Sequence, residues 1–387
     1  MVALDDRAAG ADVRRSFAAW RNRLIASPGF QRWAAAFPPT RGLVRREGAA
    51  LFDLVAGFCR SQVLAALVEL NVLDVLIDGP ADPDTLARRC DVRTERMRVL
   101  LRAGAALRLL RYDRRGRVRL TRSGAALLGV PGLTDMIRHH RSFYADLADP
   151  TAFFREDTPT ALAAFWPYVH GSAATTDREA AERYSDLMAR SQAMVAEDTL
   201  RVAPLKAATC LMDVGGGTGA FLAAAGRRYP SLRLHLFDLP DVAPDAAHRF
   251  AAEGLTDRSE IVAGSFRDDP LPRGSDAISL VRVLYDHSEA TVRALLTSAR
   301  VALPPGGRLV ISEPMSGGDA KPDPVTDVYF ALYTMAMGTG RTRSADEIAA
   351  LCRDAGFIDI RRHPSARSYV TTVISARTPA TSNVHQS

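Results

Sequence analysis

Residues 211–240, LMDVGGGTGAFLAAAGRRYPSLRLHLFDLP, constrain the fold of this chain more than any other segment. An apolar run ends at Asp213, and Gly215, Gly216, Gly217 and Gly219 follow before a small-residue helix begins near Ala220. Glycine admits left-handed backbone and close approach of a ligand, and a turn opening into a helix presents free N–H groups. A second apolar run ends at Asp238, whose carboxylate can accept two hydrogen bonds from a ribose diol. Two ligands compete for this unit. Gly215, Gly217 and Ala220 satisfy G-x-G-x-x-A with Asp238 21 residues after Gly217, so spacing alone admits a nicotinamide dinucleotide. Asp213, however, points an anion into the loop, which suits an amino group better than a pyrophosphate.

The pattern D-x-G-x-G-x-G, with an acid ending the next strand, is that of class I S-adenosylmethionine enzymes. A dinucleotide site and a purely structural turn are the weaker readings. Radical use of the cofactor is excluded, because the sequence has no Cys-x-x-x-Cys-x-x-Cys run. Cys59, Cys90, Cys210 and Cys352 are far apart, which argues against a zinc site and a disulfide framework and fits a reducing cytoplasm.

After Pro204, five apolar runs (ATCLMDVGG, LRLHLFDLP, SEIVAGSF, SDAISLVRVLYD and GGRLVISEP) alternate with helical stretches. That order implies a parallel sheet covered on both faces, a doubly wound α/β domain. The preceding half reads differently. From Leu51 to about Leu128 the pattern is helix, helix, helix and then a short hairpin about Arg115-Gly116, a winged-helix arrangement. Seven arginines lie between Arg108 and Arg122, but the charge is local to the wing. Dimerisation or a substrate lid is therefore favoured over DNA binding. Residues 135–200 look helical, with breaks at Pro150, Pro159 and Pro167. The expected divisions are a basic aromatic arm over 1–50, a helical winged-helix dimerisation and substrate-pocket domain over 51–200, a Rossmann-like domain over 201–377, and a disordered tail over 378–387.

The arm has a pattern of its own. Phe17, Trp20 and Leu24 lie at i, i+3 and i+7, and Phe30, Trp33 and Phe37 repeat the spacing after Ser27-Pro28-Gly29. Arg14, Arg15, Arg21, Arg23 and Arg32 surround them. Two short amphipathic helices closed by Pro38-Pro39 are expected, packed on the body, on a partner subunit or on anionic lipid. The start, MVALDDRAAGADVRR, lacks the cations and apolar stretch of a signal peptide, and no apolar run is long enough to span a bilayer.

From Leu51 to Arg377 the chain resembles the O-methyltransferases typified by plant caffeate-type and bacterial polyketide-type enzymes. The resemblance rests on DVGGGTGAF, FDLP, AGSF, VRVLYDHSEATVRALL, LPPGGRLVISEPM and GRTRSADEIAALCRDAGF. It implies a winged-helix dimerisation domain joined to a Rossmann-like methyltransferase domain, and a homodimer that binds no nucleic acid. By the same resemblance Asp213, Gly215, Gly217 and Gly219 hold the methionine part of S-adenosylmethionine. Asp238 and the adjoining Leu239 meet the ribose, and Ser265 with Phe266 the adenine. Arg282 lies near the methionine carboxylate or the substrate mouth.

Where the family carries its general base, a His in a His-Asp-Trp run, this chain has Tyr285-Asp286-His287. A neutral Tyr, with pKa near 10, is a poor base at neutral pH. Tyr285, Asp286, His287 and Glu313 remain the candidates for handling the proton. Glu313 keeps a family acid, whereas Thr342 replaces another. Loss of the His is compatible with an aliphatic alcohol acceptor, which no His would ionise in advance.

The arm SPGFQRWAAAFPPTRG, LFDLVAGFCRSQVL and VRVLYDHS also resemble a branch of the family that methylates a tertiary hydroxyl at the end of a long polyene in carotenoid synthesis. That branch implies a very apolar substrate, delivered to a cytoplasmic enzyme resting on a photosynthetic inner membrane. Trp166, Tyr184 and Met188 would wall the acceptor pocket by analogy, and His170 could reach the hydroxyl. The rival readings are an O-methyltransferase for an aromatic polyketide or bacteriochlorophyll-type ring, and a non-catalytic winged-helix regulator that senses S-adenosylmethionine.

Overall fold

The computed structural model describes residues 17–156, 159–165, 192–363 and 365–380, which fall into two compact units divided after Gly124. Trp166, His170, Tyr184 and Met188, named above as pocket candidates, lie outside the described residues.

In the first unit the arm is helical over 17–26 and Pro28–Ala36, and the Ser27 hydroxyl accepts a hydrogen bond from Phe30 N at 3.3 Å to cap the second helix. The second short helix ends at Ala36 as expected, but Pro38-Pro39 do not end the helical run. They open the 18-residue helix Pro38–Val55, where a first-turn proline gives up only an N–H that has no intrahelical partner. Helices Gly57–Glu69, Val72–Ile77, Pro83–Arg89 and Thr94–Ala106 follow, then the hairpin of β1 (Leu110–Tyr112) and β2 (Val118–Leu120). Leu67, Leu73, Leu86, Met97, Leu101, Leu110 and Val118 are fully buried at its centre. Gly104 is required by this packing, because a Cβ there would lie 2.8 Å from the Leu110 side chain. Asp113 shapes the hairpin turn by accepting from Arg115 N and Arg117 N at 2.9 and 3.0 Å.

The second unit is built on a seven-stranded sheet. Its strands are β3 (Cys210–Val214), β4 (Arg233–Asp238), β5 (Ser259–Ala263), β6 (Ala277–Val281), β7 (Arg308–Glu313), β8 (Ile358–His363) and β9 (Thr372–Arg377), in the order β5-β4-β3-β6-β7-β9-β8. The first five are parallel, as their alternation with helices requires, while β9 runs antiparallel to both β7 and β8. The sequence reading stopped at five strands and missed this pair.

Both faces are covered. Met212 and Val214 of β3 pack with Leu280, Ile311 and Ile374 under helices Glu289–Ala302 and Ala345–Asp354. Leu211 points the other way, with Leu236 and Val310, under helices Ala220–Arg228 and Ala243–Ala252. Strict alternation along β3 thus puts Asp213 on a buried face at the carboxyl end of the central strand, where open α/β sheets bind ligands.

Candidate functional site

The turn after β3 has the conformation its glycines forecast. Gly215, Gly217 and Gly219 have φ of 67°, 59° and 74°, a region that side chains with a Cβ enter only at a cost. Gly216 is needed for room, since a Cβ there would lie 2.5 Å from Asp213 Oδ2. Asp213 is 1% exposed; its Oδ1 accepts from the Ser279 hydroxyl at 2.6 Å, and its Oδ2 has no hydrogen-bond partner among the described residues. Burial pushes the Asp213 carboxyl up to about 7, with Ser279 opposing and the charge of Asp238 adding to the rise. A buried acid with one bare oxygen, facing a glycine turn, is a socket for a cation that donates hydrogen bonds.

Asp238 fastens the next strand to the turn. Its Oδ2 accepts from Gly217 N at 2.6 Å and its Oδ1 from Leu239 N at 2.7 Å. A carboxylate offers about four acceptor sites, so two are left for a diol. Burial holds its pKa above the usual value against these two bonds.

Ser265 and Phe266 follow β5, both half-buried. Ser265 N donates to Asp269 at 2.8 Å, and its hydroxyl accepts from Arg267 N at 3.3 Å. The Phe266 ring meets His287 edge-to-face with centroids 5.1 Å apart, and Phe266 Cε1 would lie 3.8 Å from a Cβ on Gly215. The expected adenine residues and the glycine turn are therefore side by side.

Beyond β6 lies the run that departs from the family. Arg282 has φ of +58° and is held by its N–H to Ser312 O at 2.8 Å. That backbone directs its guanidinium to the Tyr285 hydroxyl, 3.3 Å away. Tyr285 is 1% exposed, and burial raises its pKa far above that of a free phenol, so the group is a neutral phenol. Glu313, fully buried at the end of β7, accepts from Tyr285 N at 3.2 Å and leaves Oε1 unpartnered among the described residues. Burial pushes Glu313 up to about 7, opposed by the Arg343 charge. Asp286 is raised well above its usual value by burial. His287 is pushed down to about 4, first by burial and then by Arg267, whose guanidinium lies 3.1 Å from Nδ1. His287 thus sits toward Phe266, while Tyr285 faces Arg282.

Sequence reasoning missed several supporting groups. Ser279 is one. Arg343 is another: it is 0% exposed and donates to Leu284 O and His287 O, both at 2.9 Å, which clamps the Tyr285–His287 run from outside. It neighbours Thr342, half-buried where the family keeps an acid. The third group is an aromatic cluster containing His139, His140, Tyr329 and Tyr333. The adjacent histidines and the i, i+4 tyrosines were the only available signals.

The sheet order and the cradle around Asp213 define a class I S-adenosylmethionine-dependent methyltransferase. Residues 144–358 match the O-methyltransferase domain, and residues 52–129 the O-methyltransferase dimerisation domain. The chain is 53% identical over 358 residues to demethylspheroidene O-methyltransferase of Cereibacter sphaeroides, covering 92% of this chain and 94% of that protein. It is 51% identical to the enzyme of the same name from Rhodobacter capsulatus, covering 88% and 84%. The solved structure of human N-acetylserotonin methyltransferase with S-adenosylmethionine shares the fold, with a TM-score of 0.73 at 23% identity over 86% of this chain and 98% of that one. The chain belongs to the O-methyltransferase family. It is an S-adenosylmethionine-dependent O-methyltransferase with a small-molecule acceptor, and its dimerisation domain supports a homodimer.

Proposed function

We propose that this enzyme methylates the tertiary hydroxyl of a hydroxylated carotenoid of the demethylspheroidene type. The reading is carried by the two relatives at 53% and 51% identity, both demethylspheroidene O-methyltransferases. The Tyr285-Asp286-His287 run agrees with it, because an alcohol needs no base that ionises it beforehand.

The bare Oδ2 of Asp213 and the room left by Gly216 fit S-adenosylmethionine. Asp213, Gly215, Gly217 and Gly219 would hold its amino-acid part, Asp238 with Leu239 the ribose, and Ser265 with Phe266 the adenine. When bound, it supplies a methyl group on a sulfonium, so the remaining task is alignment of the acceptor oxygen. Arg282 fixes the Tyr285 phenol, which orients that oxygen, while Glu313 and Arg343 fix the Tyr285–His287 backbone. The buried wall of Phe143, Phe153, Leu162 and Met337 suits an acceptor with an apolar chain.

The arm supports peripheral contact with the cytoplasmic face of an anionic, photosynthetic membrane. Phe17, Trp20, Trp33 and Phe37 are 61%, 58%, 52% and 41% exposed among arginines. Among the described residues no single helix is long and apolar enough to cross a bilayer.

The test uses labelled S-adenosylmethionine with a panel of hydroxycarotenoids, phenolic polyketides and bacteriochlorophyll precursors. Label in the carotenoid fraction is the expected result, and faster transfer to a phenol or ring would replace the reading. Deleting residues 1–38 should abolish co-sedimentation with anionic liposomes while affinity for S-adenosylhomocysteine is kept; unchanged sedimentation defeats the membrane role.

A further inference from the structure

The segment after β7 carries two phenols one helical turn apart. Tyr329 lies in the wide turn Thr326–Phe330 and Tyr333 in helix Ala331–Ala336. Helix Leu133–Asp146 sets the adjacent pair His139-His140 against them. His139 Nε2 lies 3.0 Å from the Tyr333 hydroxyl, and His140 Nε2 lies 2.7 Å from the Tyr329 hydroxyl. The Phe143 ring stands edge-on to both phenols, with centroids 6.4 and 5.5 Å away.

These pairs sit in the apolar wall described above, where Tyr333 is 5% exposed. Placing four polar rings in such a cluster is a poor way to gain stability, since each must surrender water on burial. Burial keeps both imidazoles neutral, His140 down to about 4, and both phenols protonated. The same segment is fastened to the run beyond β6: the Thr339 hydroxyl donates to Asp286 O at 2.8 Å, and a Cβ on Gly340 would clash with Tyr285 O and lie 3.1 Å from Thr334 Cβ. The cluster therefore adjoins the run beyond β6, although almost two hundred residues separate its partners (194 between His139 and Tyr333).

We propose that Tyr333 and His139 form the proton exit of the reaction: the Tyr333 oxygen takes the acceptor's hydroxyl proton while its own proton passes to His139 Nε2. This deepens the proposed function and rests on its hydroxyl acceptor. The accounting closes. The acceptor oxygen loses H⁺ as it gains the methyl carbon, the donor's positive charge disappears with that methyl, and the same single charge reappears on the His139 imidazolium before passing to water. An alcohol becomes acidic only as its new C–O bond forms, so the acceptor of its proton need not be strong. It must be neutral beforehand and already within hydrogen-bond reach, as His139 Nε2 is at 3.0 Å from the Tyr333 hydroxyl. Tyr333 touches the acceptor and is catalytic in this scheme; His139 acts through it and is a positioning residue.

Two variants and one spectroscopic measurement test the pair. With the hydroxylated acceptor that the wild type methylates, Tyr333→Phe and His139→Ala should each lower kcat by about a hundredfold, the low end for general-base removal. KM and S-adenosylhomocysteine affinity should stay within about twofold. Added imidazoles should restore His139→Ala in proportion to their basicity, which a packing role would not produce. In ¹⁵N-histidine NMR of the ligand-free protein, His139 Nε2 should be unprotonated in the wild type and shift in Tyr333→Phe. A protonated Nε2, a kcat close to the wild type's, or rescue indifferent to basicity overturns the pair. A wild type that methylates no hydroxyl in the panel refutes the acceptor reading instead, and the His139 tautomer then decides for or against the pair.

Discussion

Replacing Asp213 by Asn probes the socket proposed for the cofactor's amino group. The carboxyl is raised from 3.8 to about 7 by burial. Between those values the folded protein holds a proton that the unfolded chain has already released, so the ligand-free enzyme loses stability as pH rises through that interval. The loss is complete above pH 7, and at about 1.4 kcal/mol per pKa unit its upper bound is about 4 kcal/mol. Asn keeps the shape and cannot ionise. The variant should therefore gain on the wild type from pH 4 to pH 8 in urea unfolding of the ligand-free protein. It should also lose the charge-assisted bond to the ligand's amino group. Such a bond contributes about 1.5–3 kcal/mol, so S-adenosylhomocysteine should bind about 10- to 150-fold more weakly by calorimetry at pH 8. Affinity within about twofold of the wild type's, or identical pH slopes for the two proteins, would refute the assignment of Asp213 to the ligand's cationic group.

Gly219→Ala puts a Cβ at φ +74° and 2.8 Å from the Phe250 ring, and should cost about 1–3 kcal/mol in urea unfolding. Arg343→Met strips the Leu284 and His287 carbonyls of their donors, and should lower stability by about 3 kcal/mol as read from the unfolding midpoint. Tyr285→Phe removes the hydroxyl that Arg282 holds, and should lower kcat about tenfold in a steady-state assay, the equivalent of one hydrogen bond in the transition state.

The glycine turn and the two acids beside it were legible because they are local. Asp213, the glycines and Asp238 fall within one βαβ unit, and each glycine answers a backbone or space requirement that no other residue meets. The parallel strands were legible from buried apolar runs. The β8–β9 pair was not: Ile358–His363 reads IDIRRH, largely exposed at the sheet edge, without the run that marks a covered strand. The helix that starts at Pro38-Pro39 was not foreseen because proline both ends and begins helices. Arg343 was invisible for a different reason. A charge in the sequence suggests surface, and only the fold shows the carbonyls that it satisfies inside. The His139–Tyr333 pair joins residues 194 apart, a separation across which no periodicity carries information.

What the fold does with its titratable groups follows a single logic. At the ends of β3, β6 and β7, burial raises Asp213, Asp286, Glu313 and Tyr285 and lowers His287, each toward its uncharged form. Of the cations set among these groups, Arg267 lies against His287, while Arg282 and Arg343 fix the Tyr285 run. A phenol-methylating site gains from a standing base, since ionising the acceptor in advance strengthens the nucleophile. A site for an alcohol on a long hydrocarbon gains nothing from one, and a fixed charge beside an apolar chain would only be costly to desolvate. With Tyr285 in place of the family's His, the strand end carries no standing base. Under the proposed scheme the proton is accepted instead by Tyr333 and His139, whose acceptance can follow bond formation rather than precede it.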